Sequence, residues 1–529
     1  VIRLITHAGQ EMTLQPDPML TLAQAIFLAP TGGAGLWDGV PLCAGLGKCG
    51  LCRVRFLSAP PQPLPEEGRR LGEAALAEGW RLACLHPATA CHIVLPEPKR
   101  SGRPHVQPGA APRAQDEVAL AVNLAVDLGT TSVHWTALAG GTTLSSGQEL
   151  NPQMGLGSEV MSRLGFAARP GGGETLQRLV LNRLRQLAQR AEAENGQPVA
   201  RLCVAGNSAM TYLLLGLPVN GLARAPYRLD YAGGDDRDIA PDLPQTRIPP
   251  LLAPFVGADL SAGLAALTFG PVAPHYPFLL ADLGTNGEFV LALSPNEYLL
   301  ASVPMGPALE GVGLRHGRTA APGAVRAFSL TPTGLKPEYI ERAPLPDEDG
   351  GITGVGYLSL VAALLRAGVL DESGRFVVPA TPLGQRLAKG VSRDGGEAVL
   401  DVGAGLSLPA SDVEELVKVK AAFNLALSRL LAESGLPAGA LARVYLAGAM
   451  GEHVDARDLA SLGFLPEVLA GRLERAGNTS LKGAALLLNS AEAWDWVRAL
   501  PGKCRALDLT ADPGFGSLYV ERMVLRHVA

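Results

Sequence analysis

Polar and apolar residues alternate at the start of the chain. Val1-Ile-Arg-Leu-Ile-Thr6 has the period-two pattern of a strand with one buried face, and Thr21 to Ala29 has the spacing of a short helix with Thr21 near its start. Arg53-Val-Arg-Phe56 alternates again, Glu66 to Glu78 returns to helical spacing, and Ile93-Val-Leu95 closes a small sheet. Between residues 96 and 119 the pattern stops. The run Lys99-Arg-Ser-Gly-Arg-Pro-His-Val-Gln-Pro-Gly-Ala-Ala-Pro-Arg113 has too few apolar groups to order itself. Its prolines predict a semi-extended, solvated tether; docking of its basic cluster on an acidic partner is the lesser reading.

A second regime begins at Leu120. Ala121-Val-Asn-Leu-Ala-Val126 predicts a buried strand ending in Asp127-Leu-Gly-Thr-Thr-Ser132, after which Val133-His-Trp-Thr-Ala-Leu138 is extended again. Glu174 to Glu194 carries Leu176, Leu179, Val180, Leu184, Leu187 and Ala188 on one helical stripe, with Asn195-Gly196 as its stop. A strand at Arg201 to Ala205, Gly206-Asn207 at its tip and an apolar helix complete a ribonuclease-H-like unit. The pattern then recurs. Phe278 to Ala281 leads into Asp282-Leu-Gly-Thr-Asn-Gly-Glu288, a near-copy that predicts two related lobes facing each other. Ser411-Asp-Val-Glu414 reads as a capping box opening a helix to about Glu433. Arg443 to Ala447 is a late strand before Gly448-Ala-Met-Gly451, and Thr479 to Leu500 reads as one large final helix. The expected fold class is multidomain α/β. A β-grasp, ferredoxin-like domain occupies 1–95, a linker 96–119, the first lobe 120–276 and the second lobe 277–529.

Composition narrows the function classes. A net charge of −5 over 529 residues offers no electrostatic ground for nucleic acid or an anionic membrane as partner. Apolar runs are interrupted by Asp259, Asp282 or Asn489 before they reach the roughly 18 residues of a membrane span. The start at Val1 lacks a signal-peptide pattern, and the seven cysteines do not form a disulfide framework, so a reducing, cytoplasmic location is expected.

Four of those cysteines carry chemistry. Cys43, Cys49, Cys52 and Cys84 follow the spacing C-x5-C-x2-C-x31-C, close to the three-plus-one arrangement of a plant-type [2Fe–2S] site. The first gap is one residue longer than in that arrangement. Gly45, Gly47 and Gly50 supply positive φ and amide groups able to face sulfur. Structural zinc would favour two C-x2-C hooks, and one is present; ordinary buried thiols have no need of the intervening glycines. Cys91, at the start of an apolar run, reads as a strand residue.

The two Asp-Leu-Gly-Thr hairpins suit a polyphosphate. Glycine removes the side chain that would block approach, amide and hydroxyl groups meet phosphate oxygens, and a strand-end aspartate can hold Mg²⁺. One such turn is commonplace; two, each after a buried strand, point to nucleotide binding, with Gly448 and Gly451 able to lie against a nucleobase.

With these motifs in this order the chain resembles the reductive activators of corrinoid proteins, whose nucleotide-binding part has the acetate and sugar kinase, heat-shock protein and actin superfold. Asn151-Pro-Gln, Gly206-Asn207, Val256-Gly-Ala-Asp259, Gly306-Pro-Ala-Leu-Glu-Gly311, Ala320-Ala-Pro-Gly323, Leu446-Ala-Gly-Ala-Met-Gly451 and Gly477-Asn478 extend the resemblance along nearly the whole sequence. It implies an ATPase that passes one electron from a [2Fe–2S] cluster to Co(II) of a corrinoid protein, regenerating Co(I) for methyl transfer. Cys43, Cys49, Cys52 and Cys84 would hold the cluster. Asp127 and Asp282 would be the carboxylates at Mg²⁺ and water, Gly129, Thr130, Thr131, Gly284, Thr285 and Asn286 the phosphate cradle, and Gly448 and Gly451 the border of adenosine. Glu288 either assists at the metal or is a polar strand residue, and His453 reads as structural. Ala449 and Met450 stand where the family pattern has glycine and an aromatic residue, which leaves the nucleotide open. An electron-donating reductase or ferredoxin is a further expected partner, and a second copy of the chain a candidate one. Two other readings stay open: a cluster-regulated small-molecule kinase, and an ATP-binding electron-transfer adaptor with little hydrolysis.

Overall fold

The architecture is that of a computed structural model, which describes residues 1–29, 36–37, 40, 42–43, 45, 47, 49–98, 105–108 (backbone), 121–344, 350–394, 396–448 and 454–528. The first sheet runs in the order Glu11–Leu14, Ile2–Ile5, Cys91–Val94, Arg53–Phe56, Trp80–Leu82. The last strand in sequence does not take an edge. Cys91–Val94 pairs in parallel with the first strand and occupies the middle, so Ile2, Leu4, Val54 and Ile93 form the floor of one small core. Helix Leu22–Phe27 covers that core and starts as expected: the Thr21 hydroxyl accepts from Gln24 N–H and the Gln24 side chain accepts from Thr21 N–H.

Two larger sheets share one plan. In the first lobe Val199–Gly206 lies parallel to Val122–Leu128, followed by antiparallel Ser132–Ala139 and Thr142–Leu150. In the second, Arg443–Gly448 lies parallel to Phe278–Leu283, followed by antiparallel Asn286–Ser294 and Glu297–Pro304. The registers agree as well. Asp127 stands beside Ala205, and Asp282 beside Ala447, each two residues before the glycine of its hairpin. Parallel strands buried on both faces explain the unbroken apolar runs read in the sequence. Helices Ala258–Thr268 and Thr479–Asn489 cross closely between the lobes, and Leu260, Leu264, Leu280, Ala484 and Leu487 share one core there.

Three expectations are corrected. Helix Ala410–Ser434 opens after Pro409 with no side-chain cap: Ser411 N–H donates to Glu397 at 2.6 Å and the expected box does not form. The final helix is two, Thr479–Asn489 and Ala491–Arg498, because Ser490 becomes extended and its hydroxyl accepts from Ala493 N–H. The expected tether contains a strand: His105–Pro108 pairs antiparallel with Thr142–Leu150 at the edge of the first-lobe sheet. Among the described residues no helix is long and apolar enough to cross a membrane.

Candidate functional site

The hairpin following Val122–Leu128 and the hairpin following Phe278–Leu283 face each other across a cleft of about 860 Å³, lined by Asp127, Gly129, Thr130, Asp282, Gly284, Thr285, Asn286, Glu288 and Gly448 among others. Each hairpin joins antiparallel strands whose cores are fully buried, so its position is set by the sheet behind it. The hairpins touch: the Thr131 and Thr285 hydroxyls are 2.9 Å apart. Asn207, which caps helix Ser208–Leu215, also donates to the Thr130 hydroxyl at 2.9 Å and fixes it.

Carboxylates crowd the floor. Burial first, then the charges of Asp259, Asp127 and Glu310, push Asp282 well above the usual carboxylate range. Glu288 is raised well above it by burial and by Asp259 and Asp282, and its Oε1 is buried without a hydrogen-bond partner. Asp259, at the start of helix Ala258–Thr268, is pushed up to about 7 by burial, with Asp127 adding to the rise. Glu310 is raised by burial although it accepts from Thr285 N–H at 2.8 Å and from the Thr285 hydroxyl at 2.6 Å. A divalent cation would relieve this like-charge crowding and give the orphaned Glu288 oxygen a partner, although among the described residues no three of these carboxylates converge as a ready-made metal site. Gly448 lies against this group: a Cβ there would sit 2.3 Å from an Asp282 carboxylate oxygen. Asp127 is occupied differently, accepting from Asn478 Nδ2 at 2.7 Å and from the Ser480 hydroxyl at 2.9 Å, both from the second lobe.

The second centre is a small cavity in the N-terminal domain. Cys43, Cys49, Cys52 and Cys84 line it together with Thr21, Ala23, Leu42, Gly45 and Gly155. Gly45, Gly47 and Gly50 have φ of 109°, 66° and 71°, as the spacing requires, and the N–H groups of Cys43 and Leu51 point at Cys49 Sγ at 3.5 Å. The thiols contact one another, which raises Cys49 and Cys84 well above the ordinary thiol range. Four crowded sulfurs with amides directed at them suit an iron–sulfur cluster, which takes them as thiolates. They do not form a ready-made coordination shell, for no three His, Cys, Asp or Glu side chains converge as a metal site among the described residues. Cys91 lies outside the cavity, in strand Cys91–Val94.

The structure thus gathers Asp127, Gly129, Thr130, Gly284, Thr285, Asn286, Asp282, Glu288 and Gly448 along one cleft, with Thr131 at the contact between the hairpins. Gly451 and His453 lie outside the described residues. Sequence reasoning gave no role to Asp259, Glu310, Asn478 or Ser480. Asn478 and Ser480 share the start of helix Thr479–Asn489 while Asp259 and Glu310 come from two other elements, and Asp259, Glu310 and Asn478 stood within the segments that carry the family resemblance.

Two sheets of one plan, hairpins opposed at their tips and a helix from each lobe crossing behind them define the actin and sugar-kinase superfold, here preceded by a ferredoxin-like domain. Sequence comparison gives the particular family. Residues 277–529 match the C-terminal domain of RACo, the ASKHA domain, and residues 122–270 match the RACo middle region. The chain belongs to this family, the reductive activators of corrinoid proteins. It is 28% identical over 426 residues to the corrinoid activation enzyme RamQ of Eubacterium limosum, covering 75% of this chain and 69% of that protein. It is 27% identical over 402 residues to the [Co(II) methylated amine-specific corrinoid protein] reductase of Methanosarcina barkeri, covering 69% of each. The solved structure of a reductive activator for corrinoid, iron-sulfur protein superposes with a TM-score of 0.68 at 22% identity, over 100% of this chain and 99% of that one.

Proposed function

We propose that this chain is an ATP-dependent reductive activator: one electron leaves a reduced [2Fe–2S] cluster and reduces Co(II) of a corrinoid protein to the Co(I) that accepts a methyl group. The observation that carries the proposal is the presence, in one chain of this family, of a four-thiol cavity and a two-sided phosphate cleft floored by crowded carboxylates. The cluster supplies the electron when bound, and Cys43, Cys49, Cys52 and Cys84 hold it. A plant-type cluster lies near about −400 mV, and on this reading the Co(II)/Co(I) couple lies lower. Each ~59 mV uphill costs a factor of ten for one electron. ATP helps only by separating two conformations that differ in their affinity for the Co(II) partner.

In the cleft, Gly129, Thr130, Thr131, Gly284, Thr285 and Asn286 cradle phosphates. Asp282, with Glu288, Asp259 and Glu310 around it, holds Mg²⁺ and orients water, while Asp127 reports closure through Asn478 and Ser480. Gly448 leaves room beside Asp282, and Gly451 is the expected border of adenosine. The working anatomy is 1–95 for the cluster, 96–119 as connection, and 120–276 and 277–529 as the two lobes. A reductase or ferredoxin supplies the electron, a second copy of the chain is a candidate partner, and the cytoplasm is the expected location. The test mixes the reduced protein with Co(II) corrinoid proteins, with and without MgATP, and follows the Co(I) absorbance. Co(I) formed only with MgATP is the expected result. ATP hydrolysis that no Co(II) corrinoid protein stimulates, with no Co(I) formed, would overturn the reading.

A further inference from the structure

The cluster domain does not hang free of the first lobe. Leu20, Phe27 and Leu28 pack on the first-lobe core, the Arg169 guanidinium donates to the Met19 carbonyl at 2.8 Å, and the Ser158 hydroxyl donates to the carbonyl of Cys43 at 3.1 Å. The turn Met154–Leu156 provides the seat. Gly155 lines the thiol cavity itself, and a Cβ on it would fall 2.2 Å from the Phe27 ring, so only glycine lets the two surfaces meet.

The same segment is tied at its other side to the phosphate hairpin. Asn151 N–H donates to the Thr131 carbonyl and Asn151 Nδ2 to the Gly129 carbonyl, both at 2.7 Å. Arg163, fully buried, reaches both sites at once: its guanidinium donates to the Thr130 carbonyl, to the Gly157 carbonyl at 2.8 Å and to Gln153 Oε1 at 3.2 Å. These acceptors are neutral oxygens, and a buried cation held by neutral acceptors depends on keeping each of them. The peptide unit is planar, so turning Thr131 N–H toward a phosphate also turns the Thr130 carbonyl that Arg163 holds.

We propose that residues 151–163 couple phosphate binding to docking of the chain's own cluster domain, with Arg163 as the positioning residue between the Thr130 carbonyl and the Gly157–Ser158 seat of Cys43. The inference rests on the nucleotide reading of the cleft. It adds what that reading lacks, a physical route from the nucleotide to the cysteine loop.

The test is amide hydrogen exchange on the cluster-loaded full chain, with MgATP binding measured separately by calorimetry. In the wild type MgATP should change exchange in residues 22–28 and 151–158 by about fivefold or more, the lower end of usual allosteric coupling. Gly155→Ala should exchange fast there without nucleotide and show no further response. Arg163→Lys should bind MgATP yet lose the response. Because Gly155 is on a turn between domains, its variant keeps the test alive should substitution at Arg163 prevent folding. Wild-type protein that binds MgATP with unchanged exchange overturns the coupling, as does Arg163→Lys with a wild-type response. A wild type that binds no MgATP overturns the nucleotide reading instead.

Discussion

The two Asp-Leu-Gly-Thr hairpins begin alike and end differently. Asp127 and Asp282 occupy matching places in matching sheets, and each begins Asp-Leu-Gly-Thr. Across the hairpin, however, Asp127 faces His134 while Asp282 faces Glu288. Asp127 spends its carboxylate on Asn478 and Ser480 of the other lobe; Asp282 sits among Asp259, Glu288 and Glu310, where burial and their charges disfavour its ionised form. The repeat therefore supplies two equivalent scaffolds, and the surroundings divide the labour. One aspartate is tied to the other lobe, and the other stands in a crowd of carboxylates.

The strongest way to break this distinction is Asp282→Asn. It should reduce MgATP hydrolysis at least about 100-fold, in the range seen when one preorganised electrostatic group is removed. Melting temperature should hold or rise, because Asn replaces a buried carboxyl whose ionisation the neighbouring carboxylates oppose. Asp127→Ala should do the reverse. It removes two charge-assisted hydrogen bonds, each worth up to about 1.5–3 kcal/mol, so calorimetry should show a lower melting temperature, while hydrolysis falls only about tenfold. Equal losses of hydrolysis in both variants would erase the division.

A pH profile sharpens the same point. Asp259 has its folded pKa raised from 3.8 to about 7. Protonated in both states at low pH, it costs nothing there; as pH rises toward 7 the unfolded chain ionises freely and the folded one does not. Stability of the Mg²⁺-free protein should therefore fall between pH 4 and 7, and saturating MgATP should flatten the slope. The smallest effect belongs to Glu288→Gln, which should weaken Mg²⁺ binding about tenfold, as loss of a supporting ligand does, with little change in melting temperature. Titration of Mg²⁺ against the nucleotide-bound protein measures it.

The elements that were legible in the sequence are those whose signal is local. Asp127, Asp282 and their glycines announce themselves because an apolar strand and a tight turn are neighbours in the chain, and the cysteine loop because its glycines carry the needed φ. Asp259 and Glu310 join the floor from elements distant in sequence, which no spacing reveals. Local signals also misled where tertiary contacts competed. Ser411 lost its capping role when Glu397 took its N–H, and Ser490 ended one helix by capping the next. The seat for Phe27 was invisible, since Gly155 reads as an ordinary loop glycine until another domain lies against it.

The strand His105–Pro108 changes the geometry of the electron's journey. Twenty-four unpaired residues would make a leash of about 80 Å at full extension, at roughly 3.3–3.6 Å per residue. With that strand zipped to Thr142–Leu150, only residues 99–104 separate Pro98 from the anchored backbone, a reach of about 25 Å. That length bounds how far the N-terminal domain could leave its seat on the first lobe while the strand stays paired. One short edge pairing thus shortens the tether by more than two thirds.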